Sequence, residues 1–440
     1  MTSLAARLRG VIRPGGPLKL HAKAEEQDPA SLTRADTTAD ILGGVWRESS
    51  GHRFLVVDRT YGPGHRHGSM ALADALPPSD GVWPRLSLLA DTSCSGNLLF
   101  VDLETTGLAG GAGTYAFLVG CAWIAGGTFR VRQFFLSSFA AERALLEAVG
   151  DVADAAGTLV TYNGKSFDLP LIETRFTLHR MPTPFAGRPH IDMLHPARRL
   201  WRGSDEATER GHGSAAMASG TMRMPSSCCL STLEQTLCGY VREGDVPGFE
   251  IPARYFRYVH SGDARPLEAV LEHNRLDLLS LALVTARAAQ LLHEGVAGTR
   301  TAREALGLGR LYERGGMMVD ARACFARAVD IDGGDRATRA DALRAYAVAS
   351  RRMRRYEEAA VAWRRLLDFP HCPAPLVREA SEALAVHLEH RLRDPFSARS
   401  LALRSLHLDG SPARRQATEH RLARLNRKLG DLRPGAAPLF

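Results

Sequence analysis

Two acidic residues interrupt a short apolar run, LLFVDLETTG, in the first third of the chain. Asp102 and Glu104 are two positions apart, and residues two apart in a β-strand project from the same face. Two carboxylates this close repel each other unless a cation lies between them or one of them stays protonated. A divalent metal ion with oxygen ligands satisfies both. The spacing therefore predicts a cation site, and an exposed edge strand with two solvated acids is the alternative.

Two later segments place further acids at the edges of apolar elements. TYNGKSFDLPLI has Asp168 at the bend that follows an apolar strand, and EHNRLDLLSL has Asp277 in an otherwise apolar helix. A lone carboxylate in such a helix is costly to bury without a partner. Because three separate apolar elements each hold acids, we predict a single shared cation site. All-oxygen ligands suit Mg²⁺ or Mn²⁺.

The elements that must position these acids follow a mixed α/β pattern. LLFVDLE is typical of a strand, and YAFLVGCAWI and FRVRQFFL, separated by AGGT, predict a hairpin. AAERALLEAVGDVADAAG has apolar residues at helical spacing, TLVTYNG predicts a short buried strand, and a long helix is expected from about Pro266 to Leu292. This order predicts a mixed sheet flanked by helices. GLAGGAGT leads into a strand and not into a helix, so it predicts a hairpin bend and not a dinucleotide-binding loop.

At 440 residues the chain is long enough for two or three domains. We predict a mobile N-terminus over 1–35, a small element of unassigned role over 36–93, the α/β domain over 94–294 and helical repeats over 300–440. Within the α/β domain, the Gly/Ser/Ala-rich stretch 203–227 predicts a flexible insertion.

The helical repeats are expected from a tetratricopeptide-like spacing of small and large residues. The best-matched unit consists of Leu308, Gly309, Tyr312, Ala321, Phe325 and Ala328. The small residues allow two helices to approach closely while the large ones fill the space between them. Stacked units of this kind form a short solenoid with one concave face.

Composition narrows the class of protein. No run of about 18 apolar residues is present, so we expect no membrane span, and without a secretory pattern at the N-terminus we expect a cytoplasmic protein. The seven cysteines include no CxxC pair, which argues against a disulfide framework or a zinc site. Residues 301–440 hold 26 Arg and Lys against 17 Asp and Glu, which would attract nucleic acid. Solvated basic helix faces are the alternative.

Three motifs resemble those of the DEDD 3′–5′ exonucleases, which have a ribonuclease-H-like fold: DLETTG, NGKSFD and HNRLD. The resemblance is closer to the YprB-type ribonuclease-H-like proteins, in GGAGTYAFLVG, TYNGKSFD, DMLHPARRLW, VPGFEIPARYFRY and HNRLDLLSL. It covers about residues 96–290, and a tetratricopeptide-like tail accompanies that family. The resemblance implies a ribonuclease-H-like fold and a metal-dependent 3′–5′ exonuclease that acts on single-stranded DNA or RNA.

The resemblance also implies roles for individual residues. Asp102 would bridge two Mg²⁺ or Mn²⁺ ions, with Glu104 and Asp277 completing the first and Asp168 assisting the second. Contacts to the nucleic acid would come from residues that flank these acids: Thr105, Thr106, Gly107, Tyr115, Asn163, Lys165, Phe167 and Asn274. Lys165 is the only lysine between residues 24 and 427.

One position departs from the family pattern. The DEDD exonucleases have a proton-transfer residue before the last Asp, either Tyr four positions before it or His five positions before it. Here His273 lies four positions before Asp277, and Glu272 lies five before it. An offset of one residue rotates a helical side chain by about 100°. Histidine can act as a general base near neutral pH, and a polar residue on a helix surface is the alternative.

Two other questions stay open from the sequence. His190, Asp192 and His195 form a second polar cluster, with a supporting role at the site or ordinary polar packing as its two interpretations. As alternatives to an exonuclease, the chain could be a nucleic-acid-binding adaptor with weak or no catalysis that recruits a protein partner through its repeats. A nuclease that cuts internally or at junctions would share the acids.

Overall fold

The computed structural model describes residues 37–75, 83–90, 93–107, 113–203, 227–332, 335–408 and 411–431. The mobile N-terminus predicted over 1–35 lies outside these residues. The flexible insertion predicted at 203–227 also lies outside them, apart from its first and last residues.

A mixed sheet of seven strands forms the centre of the α/β part, in the order β1-β2-β7-β6-β5-β8-β9. Its neighbours pair antiparallel, except that β8 runs parallel to both β5 and β9. A separate two-stranded ribbon is formed by β3 and β4. The strands are β1 (Val45–Ser49), β2 (His52–Tyr61), β3 (Arg66–His67), β4 (Met70–Ala71), β5 (Leu98–Thr105), β6 (Ala116–Ala125), β7 (Thr128–Phe135), β8 (Thr158–Thr161) and β9 (His190–Asp192).

The central strands match the apolar segments of the sequence. The hairpin expected around AGGT is formed by β6 and β7, in register from Leu118 opposite Phe135 to Ala125 opposite Thr128. β5 pairs with β6 as the first hairpin, although residues 108–112 of its bend lie outside the described part of the chain. The fold class expected from the sequence, a mixed sheet flanked by helices and followed by an all-helical region, is confirmed.

The sheet extends beyond the segment that the sequence analysis assigned to the α/β domain. β1 and β2 come from the stretch 36–93, and β2 pairs along seven positions with β7. Phe54, Leu55 and Val57 of β2 are fully enclosed in the core. The sheet therefore crosses the boundary that was placed at residue 94, because the apolar face of β2 is buried against the same core.

Five longer helices accompany the sheet in the α/β part: α1 (Glu142–Asp154), α2 (Asp168–Leu178), α3 (Leu194–Trp201), α4 (Ile251–Ser261) and α5 (Arg265–Glu294). Shorter helical segments are Leu72–Ala75, Trp83–Leu86, Phe139–Ala141, Leu230–Leu233, Glu234–Cys238, Gly248–Glu250 and Gly295–Gly298. α5 is buried along most of its length. Among the described residues, the stretch Arg265–Gly298 alone is long and apolar enough to cross a membrane, and 83% of its most apolar window is buried inside the protein.

The remaining described residues form helices α6 (Ala302–Arg314), α7 (Met318–Asp330), α8 (Arg336–Arg352), α9 (Tyr356–Leu367), α10 (Ala374–His387), α11 (Pro395–Leu406) and α12 (Pro412–Asp431), with the turn Leu388–Leu392 after α10. Each packs on the next in sequence, an arrangement consistent with repeats. A Cβ built at Gly309 would lie only 2.4 Å from the ring of Phe325, so α6 and α7 approach closely because that position has no side chain.

The helical region shares a core with the α/β part. A single apolar cluster runs from Phe100 of β5 through Leu279 of α5 and Leu306 of α6 to Trp363 of α9. At Gly307 the backbone of α6 lies directly against that of α3, since a Cβ there would meet the carbonyl oxygen of Arg199 at 2.3 Å. This contact fixes the first helices of the tail on the α/β part.

Candidate active site

The four predicted acids come from three elements that meet at the carboxyl ends of the parallel strands β5 and β8. Asp102 and Glu104 lie in the second half of β5, near the centre of the sheet. β8 runs parallel to β5, so the chain leaves β8 at the same edge and reaches Asp168, the first residue of α2. α5 contacts β5 and carries Asp277.

The electrostatics of these acids show that they act on one another. Burial first, and then the charges of Asp277, Glu104 and Asp168, raise the pKa of Asp102 well above its usual range. Burial and the charges of Asp277, Asp168 and Asp245 do the same for the pKa of Glu104, whose side chain is almost fully enclosed. Burial, Asp192 and Asp277 raise the pKa of Asp168 to about 7. The four carboxylates thus form one cluster, which we call the acid cluster.

Asp102 is held in place from behind by α5. The Asn274 side-chain amide donates to Asp102 Oδ2 at 2.8 Å and to the Asp102 carbonyl oxygen at 3.2 Å. Its Oδ1 accepts from Gln133 Nε2 at 2.9 Å. Asn274 was predicted to contact substrate, but its side chain is fully enclosed against β5 and β6. It therefore positions Asp102, because every part of the amide faces the protein interior.

The close packing of Asn274 depends on a glycine in β6. Gly120 lies opposite Asp102 in the antiparallel pair. A Cβ at Gly120 would lie 2.3 Å from Asn274 Oδ1 and 2.8 Å from its Nδ2, distances that no real side chain tolerates. The glycine leaves the space that the amide needs to reach Asp102.

The bend before Asp168 is organised by Asp192 at the end of β9. Asp192 is 2% exposed and accepts backbone hydrogen bonds from Asn163 at 2.7 Å, Lys165 at 3.1 Å and Leu194 at 3.2 Å. Asn163 has a φ of +66°, a left-handed conformation that Asn adopts more readily than most residues. Asp192 therefore supports the site, whereas His190 bonds to Thr161 at 2.8 Å, and burial lowers the pKa of His190 to about 4.

Asp277 and His273 lie together on α5, as the spacing of four residues requires. His273 Nε2 is 3.7 Å from Asp277 Oδ2, and His273 Nδ1 is 2.6 Å from Asp245 Oδ1. Burial alone would raise the pKa of Asp245, but its hydrogen bond with His273 and the charge of Arg242 hold it below its usual value. With its Nδ1 side bound to Asp245, His273 presents Nε2 to the acid cluster.

Arg242 is a basic residue at the acid cluster that the sequence analysis did not single out. Its Nη2 donates to Asp277 Oδ1 at 2.5 Å, its Nε to Glu234 Oε2 at 2.6 Å and its Nη1 to Asp245 Oδ2 at 3.2 Å. Its side chain is only 6% exposed. Neither Arg242 nor Asp245 lies in a periodic or spaced motif, so no feature of the segment VREGDVPGF distinguished them from ordinary loop charges.

The remaining predicted contact residues lie around the ends of β5 and β8. Thr105 donates its hydroxyl to the Gly107 carbonyl oxygen at 2.9 Å. Thr106 and Tyr115 exchange two hydrogen bonds of 3.0 Å, which close the loop between β5 and β6.

Tyr115 and Phe167 differ in how open their rings are. Arg175 lies over the Tyr115 ring at 4.1 Å and Phe139 packs at 4.4 Å, so the ring that was expected to stack on substrate is already covered by protein. Phe167 is 59% exposed immediately before Asp168. Lys165 lies two residues before Phe167 in the same bend, and its backbone N–H is bound to Asp192.

The donor set has the chemistry that a divalent ion requires. The acid cluster offers carboxylate oxygens only. Burial first, and then the charges of neighbouring carboxylates, raise the pKa values of Asp102, Glu104 and Asp168. Within the described part of the chain, no three acidic, histidine or cysteine side chains are positioned to hold one ion together in this arrangement. In this arrangement, the cation bonded to Asp277 is the guanidinium of Arg242.

Comparisons with known proteins agree with this architecture. Residues 99–289 match the family model RNase_H_2 of the RNase_H superfamily. The chain contains a ribonuclease H superfamily domain. Its described strands β5 to β9 and helices α1 to α5 fall within or border that match. The acid cluster lies inside this ribonuclease H domain, since all four acids are between residues 99 and 289.

Comparisons with individual proteins gave further matches. The chain is 35% identical over 234 residues to the Bacillus subtilis (strain 168) protein YprB, across 52% of this chain and 51% of YprB. The chain thus spans about half the length of that curated relative. A solved family B DNA polymerase from the archaeon Pyrobaculum calidifontis matches over 50% of this chain and 29% of the polymerase, with a TM-score of 0.32 and 13% identity.

Proposed function

We propose that the protein is a divalent-metal-dependent nuclease that shortens single-stranded nucleic acid from its 3′ end. The observation that carries the proposal is the acid cluster itself. Four carboxylates from β5, α2 and α5 act on one another electrostatically, with Glu104 buried and the other three half-buried. Burial and the charges of neighbouring carboxylates raise the pKa values of Asp102, Glu104 and Asp168. A fold gains no stability from such a group, so its presence supports a site for an added cation.

The proposed cofactors are two Mg²⁺ or Mn²⁺ ions, with Asp102, Glu104, Asp168 and Asp277 as their candidate ligands. When bound, the ions would supply Lewis-acid chemistry that activates an attacking water and stabilises the departing oxygen. In the hydrolysis, the water oxygen bonds to phosphorus and the P–O3′ bond breaks. The base takes one proton of that water and releases it through solvent to the departing 3′ oxygen, so that one water is added across the P–O3′ bond.

His273 is the base that this arrangement supports. Asp245 holds Nδ1 of the ring at 2.6 Å, which leaves Nε2 on the side of Asp277 to accept the water proton. A carboxylate that fixes the ring of a catalytic histidine is a recurring device in hydrolases. Asn274 keeps Asp102 in place, and Asp192 keeps the Asn163–Asp168 bend in place.

The substrate class follows from the surface beside the acids. Phe167 exposes its ring at the start of α2 and offers a face on which an unpaired base can stack. Base stacking of this kind requires a strand whose bases are free, which favours single-stranded DNA or RNA. The basic balance of residues 301–440 adds attraction for the strand beyond the site.

The adaptor function remains the second candidate, in which the domain grips nucleic acid and the helical region binds a protein partner. The bond between Arg242 and Asp277 favours it, because a ligand oxygen that is already bound to a guanidinium is less available to a metal ion. Both candidates predict strand binding, and only the first predicts cleavage.

The experiment is degradation of end-labelled single-stranded DNA and RNA by the full chain in Mn²⁺, Mg²⁺ or chelator. We expect a ladder that shortens from the 3′ end, and its loss in chelator. Asp102→Asn should lower the rate by at least roughly 100-fold, because changes even outside the ligand shell of a metal site cost 10- to 100-fold. The matched control is Asp151→Asn, an exposed acid on α1. Retained strand binding without cleavage in any metal would favour the adaptor.

A further inference from the structure

Arg242 is held at the acid cluster by hydrogen bonds to three carboxylates. Its three nitrogens each bond to a different carboxylate, those of Glu234, Asp245 and Asp277. The bond to Asp277 is the shortest of the three, at 2.5 Å. Charge-assisted bonds of this kind are strong and directional, because the guanidinium has a planar array of donors.

The anchor behind Arg242 is enclosed by the protein. Glu234 is 1% exposed, and its other oxygen, Oε1, bonds to His67 Nε2 at 2.7 Å and to the Ser280 hydroxyl. The His67 ring stacks on Tyr240 with centroids 4.0 Å apart. Moving the guanidinium away from Asp277 would strain or break the pair with Glu234, and separating a buried ion pair is costly.

This anchor also gives the N-terminal segment a connection to the site. His67 belongs to β3 of the small ribbon, and the ribbon bonds to the end of the Glu234–Cys238 turn through Ser69 and Cys238. A chain of polar contacts therefore runs from β3 through Glu234 and Arg242 to Asp277.

One of the two carboxylate oxygens of Asp277 is already occupied by a cationic side chain. Its Oδ1 accepts from Arg242, and its Oδ2 faces His273 Nε2 at 3.7 Å. A divalent ion on the same carboxylate would lie close to a guanidinium that is already positively charged, and like charges at this distance oppose each other. Asp102, Glu104 and Asp168 have no such bond to a cationic side chain among the described residues.

From these contacts we infer that Arg242 is a built-in cation, which takes the place of one of two divalent ions at Asp277. This inference rests on the proposed metal-dependent function and deepens it. One divalent ion would be shared by Asp102, Glu104 and Asp168, whose carboxylates would have to close on it, since in the metal-free arrangement no three described side chains are positioned to hold one ion. Arg242 would neutralise Asp277 in place of the second.

The test counts Mn²⁺ ions bound to the metal-free full chain, by isothermal titration and by electron paramagnetic resonance of the free ion. We expect one ion per wild-type chain. Arg242→Gln should bind a second ion, or bind the first at least 10-fold more tightly, because Asp277 gains a free oxygen and the cluster loses a positive charge. Glu234→Gln combined with Arg242→Gln removes both members of the buried pair, and it tests the same point where the single variant fails to fold.

The matched control is Arg275→Gln on α5. Arg275 is also largely buried, at 14% exposure, but it pairs with Glu272 and with the Tyr61 hydroxyl, away from the acid cluster. Its ion count and affinity should equal those of the wild type. This control separates loss of a buried arginine from loss of the one at Asp277.

Three results would overturn the inference. Two ions bound by the wild type would leave the proposed nuclease intact and remove the role of Arg242. Weaker or unchanged binding by the Arg242 variants at an unchanged count would mean that Arg242 does not take the place of an ion at Asp277. Absence of binding in the wild type and in every variant would overturn the metal-dependent function as well.

Discussion

Buried carboxylates occur in both regions of the molecule, but the two regions treat them differently. In the helical region, the side chain of Glu389 is fully enclosed and bonds to Arg421, Arg424 and Lys428. The hydrogen bond from Arg424 is the main reason that the pKa of Glu389 falls to about 2. In the ribonuclease H domain, Glu104 is 8% exposed, and no described residue forms a hydrogen bond or ion pair with its side chain.

Glu304, at the junction of the two regions, is compensated as fully as Glu389. Its carboxylate accepts from Trp201 Nε1 at 3.0 Å, from the Arg300 backbone N–H at 2.8 Å and from Arg287 at 3.3 Å. Glu104, Glu304 and Glu389 each lose hydration of the carboxylate when they are buried. A carboxylate that the fold compensates serves the structure, whereas acids that are left facing one another are the feature on which the proposed cation site rests.

The largest effect on stability is expected at Glu304. Glu304→Gln leaves the Arg287 guanidinium buried beside a neutral amide, and removal of one partner from a buried pair costs about 3–5 kcal/mol. The free energy of unfolding from urea titration measures this loss. Glu313→Gln is the matched control, since Glu313 pairs with Arg352 at the surface and such pairs contribute about 0–1 kcal/mol. Equal losses in the two variants would contradict the distinction between buried and exposed pairs.

A smaller loss of stability, with a larger loss of activity, is expected at Gly120. Gly120→Ala places a methyl group within 2.3 Å of the Asn274 amide, so Asn274 must move away from Asp102. Overpacking of this kind costs about 1–3 kcal/mol of unfolding free energy. The rate of strand cleavage should fall by more than the loss of stability explains, because Asp102 also loses its hydrogen bond from Asn274. Gly430→Ala, where an added Cβ meets nothing among the described residues, is the control.

The sequence predicted the strands and helices that carry the acids better than the side-chain contacts between them. The alternating and apolar patterns located β5, β6, β7 and α5 because burial leaves a periodic trace in the sequence. The spacing of Asp102 and Glu104 predicted a shared face. Arg242 and Asp245 left no such trace, because a loop side chain is placed by the tertiary fold and not by a period.

The participation of β1 and β2 in the main sheet was also missed. β2 was identified as a strand from HRFLVVDRTY, but it pairs with β7, whose partner residues lie later in the chain by 68 positions (Tyr61 and Phe129) to 80 positions (Leu55 and Phe135). Pairing between distant strands depends on which apolar faces meet in the folded chain, and a single strand pattern does not specify its neighbour. His67 likewise reaches Glu234 across 167 residues.

Glu104 should behave in the opposite way from Glu304. Glu104→Gln removes one charge from the acid cluster, so the metal-free protein should gain stability, by about 0.5–2 kcal/mol as in other relieved sites. The same change removes a ligand, so Mn²⁺ should raise the melting temperature of the wild type and not that of the variant. Thermal unfolding with Mn²⁺ and with chelator measures both effects. A variant less stable than the wild type in chelator would mean that Glu104 is compensated after all.

The last prediction concerns how the free energy of unfolding changes with pH, and it tests Asp168 specifically. The pKa of Asp168 is raised to about 7 by burial and by Asp192 and Asp277, so between about pH 4 and pH 7 the folded state binds more protons than the unfolded state. The free energy of unfolding of the metal-free wild type should therefore fall as pH rises through this window, by no more than about 1.4 kcal/mol per pH unit for one proton.

Asp168→Asn lacks this proton, so its advantage over the wild type should grow from pH 5 to pH 7 and then stay level. Urea unfolding of both proteins at pH 5, 6, 7 and 8 measures the difference, with the exposed Asp151→Asn as the control. A difference that is constant across the series would mean that Asp168 is not repelled by its neighbours. Saturating Mn²⁺ should reverse the order at pH 8, because the ion binds the ionised cluster of the wild type and stabilises its folded state.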